Sequence, residues 1–421
     1  MSFGPASSSR GAPGDVDHAR QHYRAGEVFY NVRRWDDALR EFTEALRLDP
    51  RFVDAFHFRG IVWENKRVWA NALADYGEAL RLDPANYRVL AARGYTFQKI
   101  GSVDRALDDL NESLRIHPRN TNALINRGWV FTQRREFDRA AADLDEAIRI
   151  DPTDPDAFLT RGELRRRQRQ FDDALSDYGE ALRLRPNSAR VLANRGLVWS
   201  DRGEYARALD DYTESLRLDP SDPDTFRSRG WVRTQKQDWD EALADYSEAA
   251  RLDPLSPSSY CSRGWVWSRK EQFDLARADF TEALRLQPDH EQTHVNLCFL
   301  YRRQKQYAQA RDGVTGALRL APNSRVLLNT RAWLLATCPD ETVRDGPTAT
   351  ADATRACELT NWTEFNYIDT LGAACAAAGL FDAAIEWQVM ALEDVGFVAE
   401  YGPAANERLR LYRERKPYTE A

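Results

Sequence analysis

Apolar and small residues recur along this chain at steps of three, four and seven, which is the spacing of one face of an α-helix. The stretch 53–84 carries two such runs of apolar or small residues: Phe56, Gly60 and Trp63, then Ala72, Tyr76 and Ala79. Pro84 follows the second run, where its fixed φ and missing N–H stop a helix from continuing. The stretch therefore predicts two amphipathic helices that end at a proline.

The same pattern returns with a fixed period of 34 residues. Nine prolines mark the end of each unit: Pro50, Pro84, Pro118, Pro152, Pro186, Pro220, Pro254, Pro288 and Pro322. A fixed period of this length is typical of a two-helix repeat, and such repeats stack into a solenoid because no unit can bury its apolar face alone. The period therefore predicts stacked helix pairs.

Seven repeat positions keep their residue type, counting Val53 as position 1 of the second repeat. They are a bulky residue at 4, Gly at 8, an aromatic at 11, Ala at 20, an aromatic at 24, Ala at 27 and Pro at 32. One repeat shows them all: Tyr260, Gly264, Trp267, Ala276, Phe280, Ala283 and Pro288. This pattern resembles the tetratricopeptide repeat. The resemblance implies an all-α fold, a right-handed α-α superhelical solenoid of about eleven helix pairs with a C-terminal capping helix.

The pattern divides the chain into four parts. Residues 1–17 are rich in Gly, Pro and Ser and are predicted to be a disordered lead-in. Residues 18–322 hold nine 34-residue repeats, and residues 323–398 hold two divergent ones, the first with a five-residue insertion between its helices. Residues 399–421 are predicted to form a tail and a capping helix over about 405–416, since a terminal repeat needs a polar outer face.

The part after the nine repeats resembles a C-terminal extension found on tetratricopeptide proteins of bacteria, including planctomycetes. The matching residues run from Ala332 to Asp340, from Arg344 to Gly346, from Ala356 to Thr360 and from Asp369 to Leu371. This resemblance implies a bacterial source, and it implies no activity.

Most repeats carry a charged pair, and its first member departs from the pattern of the family. Position 7, which is usually Leu in the family, is Arg in seven repeats, and position 23 of the same repeats is Asp: Arg59 and Asp75, Arg93 and Asp109, Arg127 and Asp143, Arg161 and Asp177, Arg195 and Asp211, Arg229 and Asp245, Arg263 and Asp279. The first and ninth repeats lack both residues. Because a partly buried Arg needs a partner, each Arg is predicted to bond the Asp of its own second helix. The same rule pairs Arg331 with Asp352 in a tenth repeat.

The resemblance implies that positions 2, 5, 9 and 12 of each first helix line the concave face of the solenoid. Steps of three and four do share one helical face. Position 9 is aromatic in six repeats: Tyr95, Trp129, Trp231, Trp265, Phe299 and Trp333. Aromatic side chains give large contact area at low entropic cost, which favours a binding role, and packing against the next repeat is the alternative.

Polar candidates lie beside this aromatic stripe. Position 6 carries Asn126, Asn194 and Asn296, whose amides can donate to and accept from a peptide backbone at once. They partly resemble the asparagine ladder that holds extended peptide in the repeats of O-linked N-acetylglucosamine transferase, and simple tolerance of solvent is the alternative. Arg166, within a basic run that ends at Arg169, is a candidate for meeting an acidic ligand. A solvated helix end is the alternative interpretation of that run.

A zinc-protease signature, HExxH, occurs between His290 and His294. The repeat register places His290 before a first helix and His294 at position 4, which is a packing position, and no third ligand follows. The sequence also lacks a Gly-rich phosphate loop, a nucleophile elbow and a kinase signature. We therefore expect no enzyme activity, no metal and no cofactor.

The net charge bears on the class of ligand, and the cysteine content bears on the cellular compartment. The net charge of −7 argues against a general affinity for nucleic-acid phosphates, and no stretch reaches the roughly 20 apolar residues that span a bilayer. The five cysteines, none at C-x-x-C spacing, fit a reduced, cytoplasmic setting. The sequence predicts a non-enzymatic scaffold that binds a peptide or protein segment in its concave groove. The alternative is a solenoid that binds single-stranded RNA through groove aromatics and arginines.

Overall fold

The computed structural model of the chain describes residues 13–420, and every regular element in that range is an α-helix. Its contacts divide the chain after Leu218 into two compact units. The first unit holds six helix pairs: α1 (Pro13–Asn31), α2 (Trp35–Leu48), α3 (Val53–Asn65), α4 (Trp69–Leu82), α5 (Tyr87–Lys99), α6 (Val103–Ile116), α7 (Thr121–Gln133), α8 (Phe137–Ile150), α9 (Pro155–Arg167), α10 (Phe171–Leu184), α11 (Ala189–Asp201) and α12 (Tyr205–Leu218).

The second unit holds five helix pairs and one further helix. These are α13 (Pro223–Gln235), α14 (Trp239–Leu252), α15 (Pro257–Arg269), α16 (Phe273–Leu286), α17 (Glu291–Arg303), α18 (Tyr307–Leu320), α19 (Arg325–Thr337), α20 (Gly346–Leu359), α21 (Phe365–Ala377), α22 (Phe381–Ala391) and α23 (Val395–Arg413). The predicted all-α solenoid of paired helices is therefore confirmed within each unit.

The turn inside each pair depends on one left-handed residue. Each first helix of the first unit is followed by a residue at position 15 with φ between 58° and 79°: Arg33, Arg67, Gly101, Arg135, Arg169 and Gly203. A residue in this conformation ends an α-helix and reverses the chain. The second helix therefore begins after three turn residues and packs back on the first.

Glycine at position 8 lets the two helices of a pair approach closely. A Cβ on Gly60 would lie 2.4 Å from Cε1 of Tyr76, whose ring is fully buried. The same relation holds between Gly162 and Tyr178, at 2.6 Å. The aromatic ring at position 24 fills the space that the missing side chain leaves, as the small residue predicted.

The predicted pairing of Arg at position 7 with Asp at position 23 is confirmed. Arg127 donates from Nε and Nη2 to the two carboxylate oxygens of Asp143, both at 2.8 Å. The other six predicted pairs are bonded in the same way. Arg331 bonds Asp352 at 2.6 and 2.8 Å despite the insertion between them, so the tenth repeat follows the same rule.

These arginines also join neighbouring repeats, which the sequence did not predict. Nη1 of Arg127 donates to Oδ1 of Asn111 at 2.8 Å, and Asn111 belongs to the second helix of the preceding repeat. Nη1 of Arg161 likewise bonds Asp145 at 2.6 Å. Each such guanidinium therefore uses its planar fork within its own repeat and its remaining nitrogen between repeats.

Replacing Arg127 by alanine is expected to lower the free energy of unfolding by about 2–3 kcal/mol. Asp143 is buried and would lose the partner that offsets its desolvation. Arg127 is partly exposed, so the loss of stability should be smaller than for a fully buried ion pair. Urea denaturation followed by circular dichroism measures the change. Arg115→Ala, which removes an exposed arginine bonded to Glu112, is the matched control and should leave the midpoint unchanged. Equal midpoints for the two variants would contradict a structural role for the Arg127 pair.

The tenth repeat contains the lengthened loop that the sequence predicted. Eight residues, 338–345, separate α19 from α20, where every other pair has three. Asp345 accepts a hydrogen bond from the backbone N–H of Thr348 at 3.0 Å, which starts α20 at Gly346. The insertion therefore extends the loop and leaves the helix pair intact.

Both ends of the described chain differ from the predicted boundaries. Helix α1 already begins at Pro13, so residues 13–17 of the predicted lead-in are helical, and residues 1–12 lie outside the described range. Helix α23 begins at Val395 and so is longer than the predicted helix over 405–416. Asp394 explains this start, because its carboxylate accepts from the backbone N–H of Phe397 at 2.7 Å.

Candidate functional site

Two adjoining cavities lie along the first helices of the first unit. Their volumes are about 420 and 280 Å³, and both are lined by Tyr95, Asn122 and Asn126. Tyr95 comes from α5, and the two asparagines come from α7. First-helix positions 2, 6 and 9 therefore share one surface, as the helical spacing predicted. We call this surface, formed by Tyr95, Asn122, Asn126 and Trp129, the unit 1 groove.

Asn126 lies between the two cavities and is partly exposed. Within residues 13–420 no hydrogen bond engages its side-chain amide. Asn120 differs, because it is buried and its amide donates to Oγ of Ser113 at 2.9 Å. Asn126 can therefore both donate to and accept from a chain laid along the groove.

The aromatic residues of the unit 1 groove are partly exposed, and Trp129 is also anchored in the core. Trp129 packs against the buried core around Leu124, and its remaining surface lines the second cavity. The ring of Tyr95 lies 5.0 Å from Nζ of Lys99, a cation–π distance. Trp129 therefore packs against the core and also exposes part of its surface to the cavity, so packing does not account for its whole side chain.

Basic side chains outnumber acidic ones around the two cavities. Apart from two tyrosines, the charged or titratable side chains that line them are Arg88, Lys99, Arg119, Arg190, His57, His117, Glu64 and Asp156. Burial raises the pKa of Glu64 to about 7, although the Thr96 hydroxyl donates to its carboxylate. Burial lowers the pKa of His57 to about 4, so this imidazole is neutral at pH 7. The groove is thus basic within a chain whose net charge is −7.

Arg166 and Asn194 are engaged within the chain. Arg166 bonds Glu163 at 2.9 Å and Asp201 at 2.7 Å. The amide of Asn194 donates to the backbone carbonyl of Arg190 at 2.8 Å. Arg166 is therefore neutralised by two carboxylates of its own chain, and one donor of the Asn194 amide is used within its own helix.

The predicted residues of the second unit fall into three situations. Trp231 and Phe299 expose 44% and 39% of their surface, which is high for large apolar side chains. Trp265 is half-buried, with its ring 6.2 Å from that of Trp239. Asn296 is buried and hydrogen-bonded inside the chain, so the prediction that it faces a ligand loses its basis.

Trp333 is covered by residues near the end of the described chain. Its Nε1 donates to Oε1 of Glu420 at 2.7 Å, and its ring lies 6.2 Å from that of Tyr418. The guanidinium of Arg408 lies 5.4 Å from the same ring. The sequence predicted a capping helix and a tail in this region, but it did not predict that their side chains cover Trp333.

The two histidines of the HExxH sequence take part in local hydrogen bonds. Nδ1 of His290 lies 2.7 Å from Oγ1 of Thr293, and Nε2 of His294 lies 2.8 Å from the carbonyl oxygen of Pro288. His290 is the N-cap of α17 and has a ψ of 95°, so its backbone is not helical as that of His294 is. Among residues 13–420 no three His, Cys, Asp or Glu side chains are grouped to hold a metal ion.

The family model of the tetratricopeptide repeat matches residues 23–90, 91–155, 159–223, 201–257 and 227–291. These matches cover more than half of the sequence, and the chain belongs to the tetratricopeptide repeat family. Proteins of this family are generally non-catalytic scaffolds that bind protein or peptide ligands. No curated protein matches the chain significantly.

The solved structures that are similar to this chain have low sequence identity to it. Yeast Tom70 is 16% identical, with a TM-score of 0.54 over 94% of this chain and 97% of its own. A tetratricopeptide repeat protein from Parabacteroides merdae is 19% identical, with a TM-score of 0.46 over 56% of this chain and 94% of its own. PilF of Pseudomonas aeruginosa is 21% identical, with a TM-score of 0.43 over 49% and 94%. The likeness to Tom70 shows the fold alone.

No helix in the described part of the chain combines the length and the apolar character that crossing a membrane requires.

Several groove residues were missed by reasoning from positions 6 and 9. Arg88, Asn122 and Arg190 stand at position 2 of their repeats and line the cavities. The resemblance to the family already placed position 2 on the concave face, so the sequence did carry the signal for these residues. Asn120 and Arg119 come from the turns between repeats, where helical spacing gives no direction for a side chain.

Proposed function

We propose that the chain is a non-enzymatic scaffold that binds an extended peptide or protein segment along the unit 1 groove. The observation that supports this most is the unengaged amide of Asn126 between two adjoining cavities. A peptide backbone offers one donor and one acceptor per residue, and an amide side chain satisfies both kinds of group.

The neighbours of Asn126 suit the side chains of such a segment. Tyr95 and Trp129 offer apolar surface to the cavities. Trp129 is already held in place by packing against the core, so it loses little side-chain freedom on binding. Asn122 is exposed on the turn before Asn126 and lines the same two cavities. Successive turns of α7 thus present equivalent polar groups to one chain.

The charge of the groove favours an acidic ligand. Arg88 and Arg119 line the first cavity, and Lys99 and Arg190 line the second. Complementary charge raises the association rate and selects among partners more than it raises affinity. We therefore expect the preferred segments to carry Asp or Glu near an apolar side chain.

A displayed library of random twelve-residue peptides provides the probe for this proposal. Peptides enriched on the full chain are synthesised with a fluorescent label, and their affinity is measured by anisotropy. Asn126→Ala should weaken binding about tenfold, since the loss of one or two hydrogen bonds costs roughly 1–2 kcal/mol. Asn194→Ala is the matched control, because this asparagine has the same repeat position and its amide already bonds Arg190.

Equal affinities of the wild type and Asn126→Ala would contradict the proposed site. A labelled twenty-residue uridine oligonucleotide measured beside the peptides tests the RNA alternative. Binding of this oligonucleotide at 0.15 M salt, with a steep loss as salt rises, would favour single-stranded RNA over peptide. The net charge of −7 supports the peptide.

We also propose a reduced, cytoplasmic setting. All five cysteines are buried and free, and burial raises the pKa of the Cys298 thiol to about 11. A thiol in that state is a poor nucleophile and resists oxidation. The bacterial source rests on the resemblance of the C-terminal extension and stays a prediction.

A further inference from the structure

The residues after α23 turn back onto the second unit. Arg415 has φ of 56°, and the backbone N–H of Lys416 donates to the carbonyl oxygen of Leu411 at 2.9 Å. This is the hydrogen bond of a Schellman motif, which ends a helix and redirects the chain. Residues 416–420, which we call the return segment, follow this turn without helical structure.

Glu420 is held by three groups of the second unit. Its carboxylate accepts from Nε1 of Trp333 at 2.7 Å and forms an ion pair with Arg302. Its backbone N–H donates to the carbonyl oxygen of Thr337 at 2.8 Å. One residue thus makes a charged, a neutral and a backbone hydrogen bond, which is how pockets recognise a residue of a bound peptide.

Tyr418 makes the second contact of the return segment. Its ring lies 6.2 Å from the ring of Trp333 and 5.6 Å from the guanidinium of Arg408. Tyr418 and Glu420 are partly buried, whereas Pro417 and Thr419 are exposed. Alternate burial is typical of an extended chain that lies with one face on a surface.

The groups that hold the return segment stand at ligand-facing repeat positions. Arg302 is at position 12 of the ninth repeat, and Trp333 is at position 9 of the tenth. Arg408 is fixed independently, because it bonds the carboxylate of Asp369 at 2.9 Å. Trp333 packs against the core of the second unit, so these two groups stay in place when the segment leaves.

We propose that the return segment occupies in cis a second peptide site, formed by Arg302, Trp333 and Arg408. Its external ligand is an extended segment that carries an aromatic residue two positions before an acidic one. The return segment keeps the site closed until such a ligand displaces it. This inference rests on the proposed scaffold function and names the ligand chemistry for the second unit.

Tethering explains why the site is closed at rest. A segment joined by a short connection acts at an effective concentration on the order of millimolar. A free peptide with the same contacts must therefore exceed that concentration, or bind more tightly, before it replaces the segment. Removing the segment should expose the site to much lower peptide concentrations.

The test uses a fluorescein-labelled peptide with the sequence of residues 414–420, Glu-Arg-Lys-Pro-Tyr-Thr-Glu, as the probe. A chain that ends after Lys416 is expected to bind the probe at least tenfold more tightly than the full chain. Arg302→Ala in the shortened chain should weaken binding at least tenfold, because Glu420 of the probe loses its ion pair. A probe with Gln in place of the final Glu should bind the shortened chain about as weakly as the original probe binds the Arg302→Ala variant.

A full-length variant guards against misfolding of the shortened chain. Tyr418→Ala combined with Glu420→Gln keeps the length of the chain and should open the site to the probe. If neither variant binds the probe more tightly than the full chain, the inference is overturned. Peptides that bind the unit 1 groove do not use this second site. If Asn126→Ala weakens their binding, the scaffold function is supported even when the inference about the return segment is overturned.

Discussion

Replacing Arg408 by alanine is expected to lower the free energy of unfolding of the second unit by about 3–5 kcal/mol. Arg408 and Asp369 are each 5% exposed, and Gln388 beside them is fully buried. Arg408 donates to Asp369 at 2.9–3.0 Å, and Gln388 donates to the same carboxylate at 2.7 Å. Without Arg408 the carboxylate stays buried with one amide as its only partner among these three residues.

The stability that Arg408→Ala loses should depend on pH. Burial raises the pKa of the Asp369 carboxyl even with Arg408 beside it, and removing Arg408 raises that pKa further. A carboxyl whose folded-state pKa lies above its unfolded value contributes stability at low pH and loses it as pH rises through the folded-state pKa. The Arg408→Ala variant should therefore lose less stability at pH 5 than at pH 8.

Urea denaturation at the two pH values measures this loss. Adding Asp369→Asn to Arg408→Ala should restore part of the stability and remove the added pH dependence, since a neutral amide costs less to bury than a carboxylate. Arg410→Ala is the matched control on the same helix, because Arg410 pairs with Glu407 in solvent. Similar midpoints for Arg408→Ala and Arg410→Ala would show that the buried pair does not stabilise the unit.

Gly346→Ala is expected to destabilise the second unit by about 3 kcal/mol or more. A Cβ at this position would lie 2.5 Å from the backbone nitrogen of Ala378 and 2.6 Å from the carbonyl carbon of Ala377. These are backbone atoms at the end of α21, so they cannot move aside as a flexible side chain would. Helices α20 and α21 must separate, which weakens the packing of the core they share.

Gly313→Ala provides the matched control for Gly346→Ala. Gly313 lies inside α18, and an added Cβ would meet no atom within 4 Å. Alanine is favoured over glycine inside a helix by roughly 0.5–1 kcal/mol, so this variant should be more stable than the wild type. Denaturation midpoints of the two variants should therefore shift in opposite directions. A shift of both in the same direction would contradict the packing described for Gly346.

The repeat made most of the fold predictable from the sequence. Each helix pair is one copy of the same unit. The spacing of apolar and small residues in one repeat is weak evidence by itself, but it recurs nine times in register. The pairing of Arg127 with Asp143 was predicted because the repeats that lack one residue also lack the other. The contact of Arg127 with Asn111 was not predicted, since position 25 changes its residue type from repeat to repeat.

The candidate sites were less predictable, because equal repeat positions have unequal neighbours. Asn126 and Asn296 share position 6, yet Asn126 faces two cavities and Asn296 is buried beside Cys261. Among residues 13–420 the pair of Arg408 with Asp369 has no counterpart in another repeat, so no comparison between repeats reveals it. The return segment lies outside the period altogether, and its contacts depend on the chain reversal at Arg415.

The place where a bound peptide lies decides whether the first helices form the binding surface. A selected peptide that carries a benzophenone side chain is bound to the full chain, crosslinked by light, digested and mapped by mass spectrometry. We expect crosslinks to α5 and α7, at or beside Tyr95, Asn122 and Asn126. Crosslinks confined to the second helices α6 and α8 would contradict the proposed site.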